Sequence, residues 1–343
     1  MSLPWVGNLC LILSALQVPD RSHTMRNRID GPGRRRFTLG LAALGAAAAL
    51  PAGAASRRRA AEAAPGGRII ISGAAGHLGE ATIRELLARG IPASRLILVS
   101  RTPDALKPYA ARGASVRFGD FTDPKSLPAA FAGGRQMLLI SIGLSSVPRP
   151  QAHKTAIDAA KAAGIEHIAY TSWIGLSRGD RSGLGADHYQ TEEALKGSGI
   201  AWTMLRNSIY MEQTLPAAEG MVRSGRAEVP SPDVRVAYVA REDCAAAAAA
   251  VLTTRGHDDR AYDITGPQLI DTRRMAETAS AVTGKPIRIE PARPGAPGRR
   301  RAYGGPSVAV VSDAVAELKG RPAIRLEAFF GEHRAELLSE HAA

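Results

Sequence analysis

Gly73-Ala74-Ala75-Gly76-His77-Leu78-Gly79 spaces three glycines between an apolar run over 68–72 and a helical stretch over 80–89. In that setting the chemistry is phosphate binding. The first glycine permits a tight turn and the second lets backbone approach a pyrophosphate. The third lets the helix pack closely on the sheet, with its N-terminus toward the anion. The chain holds 35 glycines, and this spacing is not Gly-x-Gly-x-x-Gly, so the flanking strand and helix carry the assignment. Gly73, Gly76, His77, Leu78 and Gly79 are the expected dinucleotide contacts.

The end of the second strand selects the dinucleotide. An acid about 20 residues past the glycines would bind ribose hydroxyls and repel a 2′-phosphate. Here the chain reads Val99-Ser100-Arg101-Thr102. Arg101 between two hydroxyl residues suits a phosphate, so NADP(H) is the expected cofactor. Ligands lie beyond the carboxyl ends of parallel strands. Asp120 is therefore placed to accept from an adenine amino group, with Phe121 packing nearby. Ser141, Ile142 and Gly143 are placed beside the pyrophosphate and nicotinamide ribose.

A proton donor is less evident. Short-chain dehydrogenases use Tyr-x-x-x-Lys, and the nearest match, Tyr189-Gln190-Thr191-Glu192-Glu193, lacks the lysine. Without that cation the tyrosine lacks the partner that activates it in those enzymes. This argues against alcohol and ketone chemistry by that route, and against a nucleotide-sugar epimerase. Quinone reduction demands less, because a hydroquinone is far more acidic than an alcohol and water can protonate it. No Cys/His spacing indicates a metal site. Of the two cysteines, Cys10 and Cys244, the latter precedes an alanine run and reads as a small buried hydrophobe.

The elements that position these residues alternate between apolar runs and helical patterns, the signature of a helix-wound parallel sheet. Strands are expected at 68–72, 95–100, 115–119, 136–142, 165–171 and 202–207. Gly164 stops a helix over 151–163. A strand over 234–239, a helix over 241–253, a strand over 262–265, a helix over 272–283 and a strand over 286–290 read as a lobe closing on the sheet's carboxyl edge. A loop over 293–306 and helices over 312–319 and 325–338 follow. The expected architecture is α/β. A Rossmann-type doubly wound parallel sheet spans 65–230, and a small C-terminal α/β substrate lobe with closing helices spans 231–343, interleaved with the first.

Residues 1–64 read as an upstream extension and a signal. Arg34-Arg35-Arg36-Phe37 precedes an alanine-rich run over 38–50, then Pro51 and Ala52-Gly53-Ala54. Basic, apolar, then small residues is the order of a twin-arginine export signal. The 13-residue run is shorter than the about 20 residues of a membrane span. Cleavage after Ala54 and after Ala63 both remain open. Met25 is the expected start, because the apolar stretch over 3–18 has no basic residue before it. The twin-arginine export machinery is an expected partner and the periplasm the expected compartment, with the cytoplasm the alternative if the signal is inactive.

The formal charge of +12 is concentrated in that region: nine arginines and two aspartates in residues 1–59 carry +7, leaving +5 for the rest. Arg299-Arg300-Arg301 has no interleaved aromatics, so no nucleic-acid partner is expected. A homodimer stays open.

Gln151-Ala152-His153, Ile157-Asp158-Ala159-Ala160-Lys161-Ala162-Ala163-Gly164, Ile168-Ala169-Tyr170-Thr171-Ser172, Ser198-Gly199-Ile200 and Leu205-Arg206-Asn207 stand in an order and at distances that resemble one family. These are the type 2 NADPH:quinone oxidoreductases, atypical short-chain dehydrogenase/reductases of the NmrA-like group. The resemblance covers about residues 68–290. It implies a Rossmann domain with a small C-terminal lobe, NADPH as hydride donor and quinones as substrates. It also implies cofactor roles for Gly73, Gly76, Gly79, Arg101 and the loop from Ser141 to Gly143. His188, following Asp187, looks similar in position to a lysine that related reductases use catalytically. Tyr170 and Asn207, expected to end strands five and six facing the cleft, complete the catalytic candidates. The short loop over 293–306 departs from the family and implies an altered pocket lid. The export signal departs as well, since the family is cytoplasmic. A reading of another class is a redox sensor, because NmrA-like regulators bind dinucleotide without turnover.

Overall fold

Ile69, Ile70 and Ile71 are all fully buried, because β1 (Arg68–Ser72) lies mid-sheet and is covered on both faces. The computed structural model describes residues 66–143, 145–176, 183–230, 233–292 and 308–339. The export signal, both cleavage sites, Cys10 and the loop over 293–306 lie outside the described residues.

After β1 come α1 (His77–Ala88), β2 (Leu96–Ser100), the short α2 (Lys107–Ala110), β3 (Ser115–Phe118), α3 (Leu127–Phe131), β4 (Gly134–Leu139), α4 (Arg149–Ala162), β5 (His167–Trp173), α5 (Gly183–Lys196) and β6 (Ala201–Asn207). Next are α6 (Leu215–Ser224), β7 (Arg226–Val229), α7 (Arg241–Thr253), β8 (Arg260–Ile264), α8 (Thr272–Thr283) and β9 (Arg288–Pro291). The chain then forms α9 (Ala314–Lys319), α10 (Leu326–Glu332) and α11 (Arg334–Leu337).

Seven strands form one parallel sheet in the order β3-β2-β1-β4-β5-β6-β8. The doubly wound fold expected from the sequence is present, and the order reverses between β1 and β4, where such folds open a crevice. Alternate side chains serve opposite faces. Ile69, Ile71 and Leu98 pack with Leu86 of α1 and the alanines of α7, whereas Ile70, Met137 and Tyr170 pack with Phe131, Ala156 and Leu195. Helix α7 is buried almost all round, and its small alanines let α1 and the sheet approach it closely.

Several expectations are corrected. The strand near 262–265 is β8, the seventh strand of the main sheet rather than part of a lobe, and α7 packs on that sheet too. The run over 234–239 is no strand: it makes only the single bridges Val236 to Ile270 and Tyr210 to Val239. In its place β7, whose sequence shows no strong strand pattern, pairs in parallel with β9. The final helix is two, α10 and α11, separated at His333. A separate apolar cluster joins Ile209, Met211, Val236, Met275, Phe329 and Phe330 beyond the sheet's carboxyl edge.

Candidate active site

Gly73 turns the chain out of β1 with φ of +64°, in the left-handed region that glycine adopts without strain. Ala74 N–H then donates to Val99 O at 3.0 Å, tying the turn to β2. A Cβ on Gly79 would sit 2.4 Å from Gly73 O and 2.8 Å from Ala74 Cα, so only glycine lets α1 start this close to the turn. Gly76 caps α1 without any side-chain hydrogen bond. The first-turn amides are thereby left for an anion, favoured by the helix dipole.

The turn opens on a cleft of about 380 Å³ lined by Gly73, Gly76, Ser100, Arg101, Asp120, Ser141 and Gly143. The cofactor candidates thus converge, with two exceptions. Leu78 is buried in the core below the turn, so only its backbone is near the phosphate position. His77 lines a different cleft with Glu80, Arg241 and His333. Arg101 is exposed at the mouth. Beside it, Thr102 N–H donates to Ser100 Oγ at 3.0 Å, and the two hydroxyls lie 3.2 Å apart. Asp120 Oδ1 accepts from the N–H and the hydroxyl of Thr122, both at 2.9 Å, which fixes the carboxylate at the cleft wall. Ala75, Gly119, Thr122, Ile140 and Ser145 also line the cleft. Sequence reading did not single them out, because an aliphatic residue, small residues and hydroxyls carry no distinctive spacing.

A 2′-phosphate fits the arginine and paired hydroxyls, and the turn with its uncapped helix fits a pyrophosphate. The residues present therefore suit NADP(H): Ser100, Arg101 and Thr102 would hold its adenosine end, and the loop after β4 would face its nicotinamide end. Among the described residues no group of three or more His, Cys, Asp or Glu could hold a metal ion.

The catalytic candidates sit deeper than expected. Tyr170 is fully buried rather than facing the cleft, because β5 continues three residues further to Trp173. His188 lies within α5, not before it, and is only 4% exposed. Ile142 N–H donates to His153 Nε2 at 3.1 Å, so the proton of that ring resides on Nδ1, 3.0 Å from Thr191 Oγ1. The Thr191 hydroxyl donates onward to Asp187 O. Tyr170 Oη lies 2.7 Å from His188 Nδ1, and donating there agrees with the protonated Nδ1 of His153 on its other side at 3.4 Å. Burial pushes His153 and His188 down to about 3 and raises the Tyr170 phenol. Near neutrality all three are uncharged, so His188 does not supply the positive charge of a lysine.

Asn207 does end β6, paired in register with Trp173 at the end of β5. It is 4% exposed, and its Oδ1 has no hydrogen-bond partner among the described residues. Trp173 stacks on His188 with ring centroids 6.4 Å apart. A polar acceptor and an aromatic ring thus stand together at the carboxyl edge.

A family model described as NAD(P)H-binding matches residues 73–255. The chain is 37% identical over 221 residues to quinone oxidoreductase 2 of Escherichia coli strain K12, covering 64% of this chain and 76% of that protein. The structure of an NADPH-dependent quinone oxidoreductase from Escherichia coli with NADPH superposes with a TM-score of 0.67 at 30% identity, covering 79% of this chain and all of that one. Triphenylmethane reductase of Citrobacter sp. complexed with NADP(H) gives 0.69 at 29% identity, with the same coverage. The glycine turn, the NADP-suited strand end and these likenesses agree: the chain belongs to the NAD(P)H-binding family, as an NADP(H)-dependent oxidoreductase of the NmrA-like group.

Proposed function

We propose that this oxidoreductase reduces quinones or similar small planar electrophiles. The observation that carries the reading is the pairing of an NADP-suited cleft with an uncharged network that lacks the lysine and low-pKa phenol of alcohol chemistry. Bound in the cleft, NADPH supplies a hydride, two electrons and one proton, to an acceptor beside its nicotinamide. The chain's own residues bind and orient: the α1 amides and Arg101 hold phosphates, and the loop after β4 sets the nicotinamide end. Trp173 offers a face for a planar acceptor, and the unpartnered Asn207 Oδ1 beside it would accept from a hydroxyl of the hydroquinone product. Water provides the second proton of the hydroquinone.

Purified protein should oxidise NADPH with a panel of quinones, and far more slowly with simple ketones. Binding of NADPH with no turnover on any quinone would favour the regulator reading instead. We further infer export by the twin-arginine route, which carries folded proteins and so allows cofactor loading beforehand. The support is the order of basic, apolar and small residues over 34–54. Sequencing the N-terminus of protein from its own compartment tests it, and an intact residue 25 on the accumulated protein would count against it.

A further inference from the structure

Both backbone polar groups of Ile142, in the loop after β4, are taken by side chains of α4. Its N–H donates to His153 Nε2 at 3.1 Å, and its carbonyl accepts from Arg149 Nε at 2.9 Å. Each of those side chains is in turn fixed by α5. Arg149 Nη1 donates to Asp187 Oδ2 at 2.7 Å, and His153 Nδ1 meets Thr191 Oγ1 at 3.0 Å. Residues 149 and 153 are one helical turn apart, as are 187 and 191, so the two helices present matching pairs. The preceding residue is held as well, with Ser141 N–H donating to Thr171 Oγ1 at 2.8 Å.

Arg149 stands in the first turn of α4, where the helix dipole disfavours a cation. Its side chain is only 13% exposed. Local helix energetics do not account for that placement, whereas the carbonyl of Ile142 and the carboxylate of Asp187 do. From this geometry we infer that Arg149 and Asp187, with His153 and Thr191, form a positioning clamp. The clamp holds the loop at Ser141 to Gly143 against the nicotinamide half of the dinucleotide. The adenosine half is bound independently, by Ser100, Arg101, Thr102 and Asp120. None of these four shares a hydrogen bond with the clamp among the described residues. This inference rests on the cofactor orientation given above.

Loss of the clamp leaves the loop's N–H and carbonyl to find other partners, and the loop shifts. A shift of about 1 Å is enough to matter at a reacting end. Ligand titrations with NADPH and with adenosine 2′,5′-bisphosphate, which carries only the adenosine half, separate the two ends. In Arg149→Met and in Asp187→Asn, the NADPH dissociation constant should rise about tenfold, while that for the bisphosphate stays within about twofold. The double variant should be no weaker than the worse single one, because the two residues act as a unit. Thr191→Val, which preserves shape, should give the same split in a chain that keeps its fold. Parallel weakening of both ligands, unchanged NADPH binding, or additive single effects would overturn the clamp. Arg101→Glu run alongside reads the orientation separately. Loss of bisphosphate binding supports it; retention overturns the orientation and the assignment of the clamp to the nicotinamide half.

Discussion

Tyr170 Oη lies 2.7 Å from His188 Nδ1, and with His153 the two form an uncharged, buried network on the α4 and α5 face of the sheet. Burial is the leading reason that both imidazoles are held down to about 3, from an ordinary value of 6.5. In that interval the unfolded chain binds more protons than the folded one. Stability from these groups is therefore complete above about pH 6.5 and declines as pH falls toward 3. The slope approaches about 1.4 kcal/mol per pH unit for each histidine. Urea denaturation at about pH 7 and about pH 5 measures it, and His188→Gln should make the difference smaller.

Lys319 and Asp243 form an ion pair that is almost wholly buried and joins α9 to α7, and Asp243 also accepts from Ile324 N–H at 2.6 Å. Lys319→Met should cost about 3–5 kcal/mol, because it strands a buried carboxylate. Adding Asp243→Asn should recover part of that loss. A denaturant series on the single and double variants reads both effects.

Much of this fold was legible because its signals are local. The glycine turn, the apolar runs of β1 to β6 and Arg101 after β2 each announce themselves within a few residues. The seventh strand was misplaced because β8 pairs with β6 across some 50 intervening residues, and register over that distance leaves no local trace. The segment over 234–239 alternates like a strand yet finds no continuous partner. Tyr170 was read as a cleft residue, since a strand's last residue cannot be fixed from sequence when the apolar run continues; His188 was read from its likeness in position to a catalytic lysine, which carries no information on burial. The clamp went unseen for a related reason: His153 was noted only as part of a familiar block. Arg149 gave no signal either, because the expected helix began at residue 151 and only the structure places this cation in the first turn.

Gly79→Ala places a Cβ against backbone at Gly73 and Ala74, atoms that cannot rotate away. The expected outcome is destabilisation by about 1–3 kcal/mol, together with loss of NADPH binding as α1 is pushed from the turn. Thermal melting with and without NADPH checks this, and the ligand-induced rise in melting temperature should vanish.

Arg101→Glu should weaken NADPH by about 10–100-fold, the equivalent of about 1.5–3 kcal/mol for charge-assisted hydrogen bonds. NADH, lacking the 2′-phosphate, should change far less. Equal losses on both dinucleotides in fluorescence titration would remove Arg101 from the phosphate site.

In the proposed function this cleft passes a hydride from NADPH to a quinone without a charged proton donor. An anaerobic single-turnover experiment tests it, mixing protein saturated with NADPH against a quinone and following both nicotinamide and quinone absorbance. One NADPH should be lost per quinone reduced, with a primary isotope effect from NADPH deuterated at the transferred position. The rate should show no inflection near 6.5, the ordinary histidine pKa. Bound NADPH that persists unchanged in the presence of every quinone tried would contradict it.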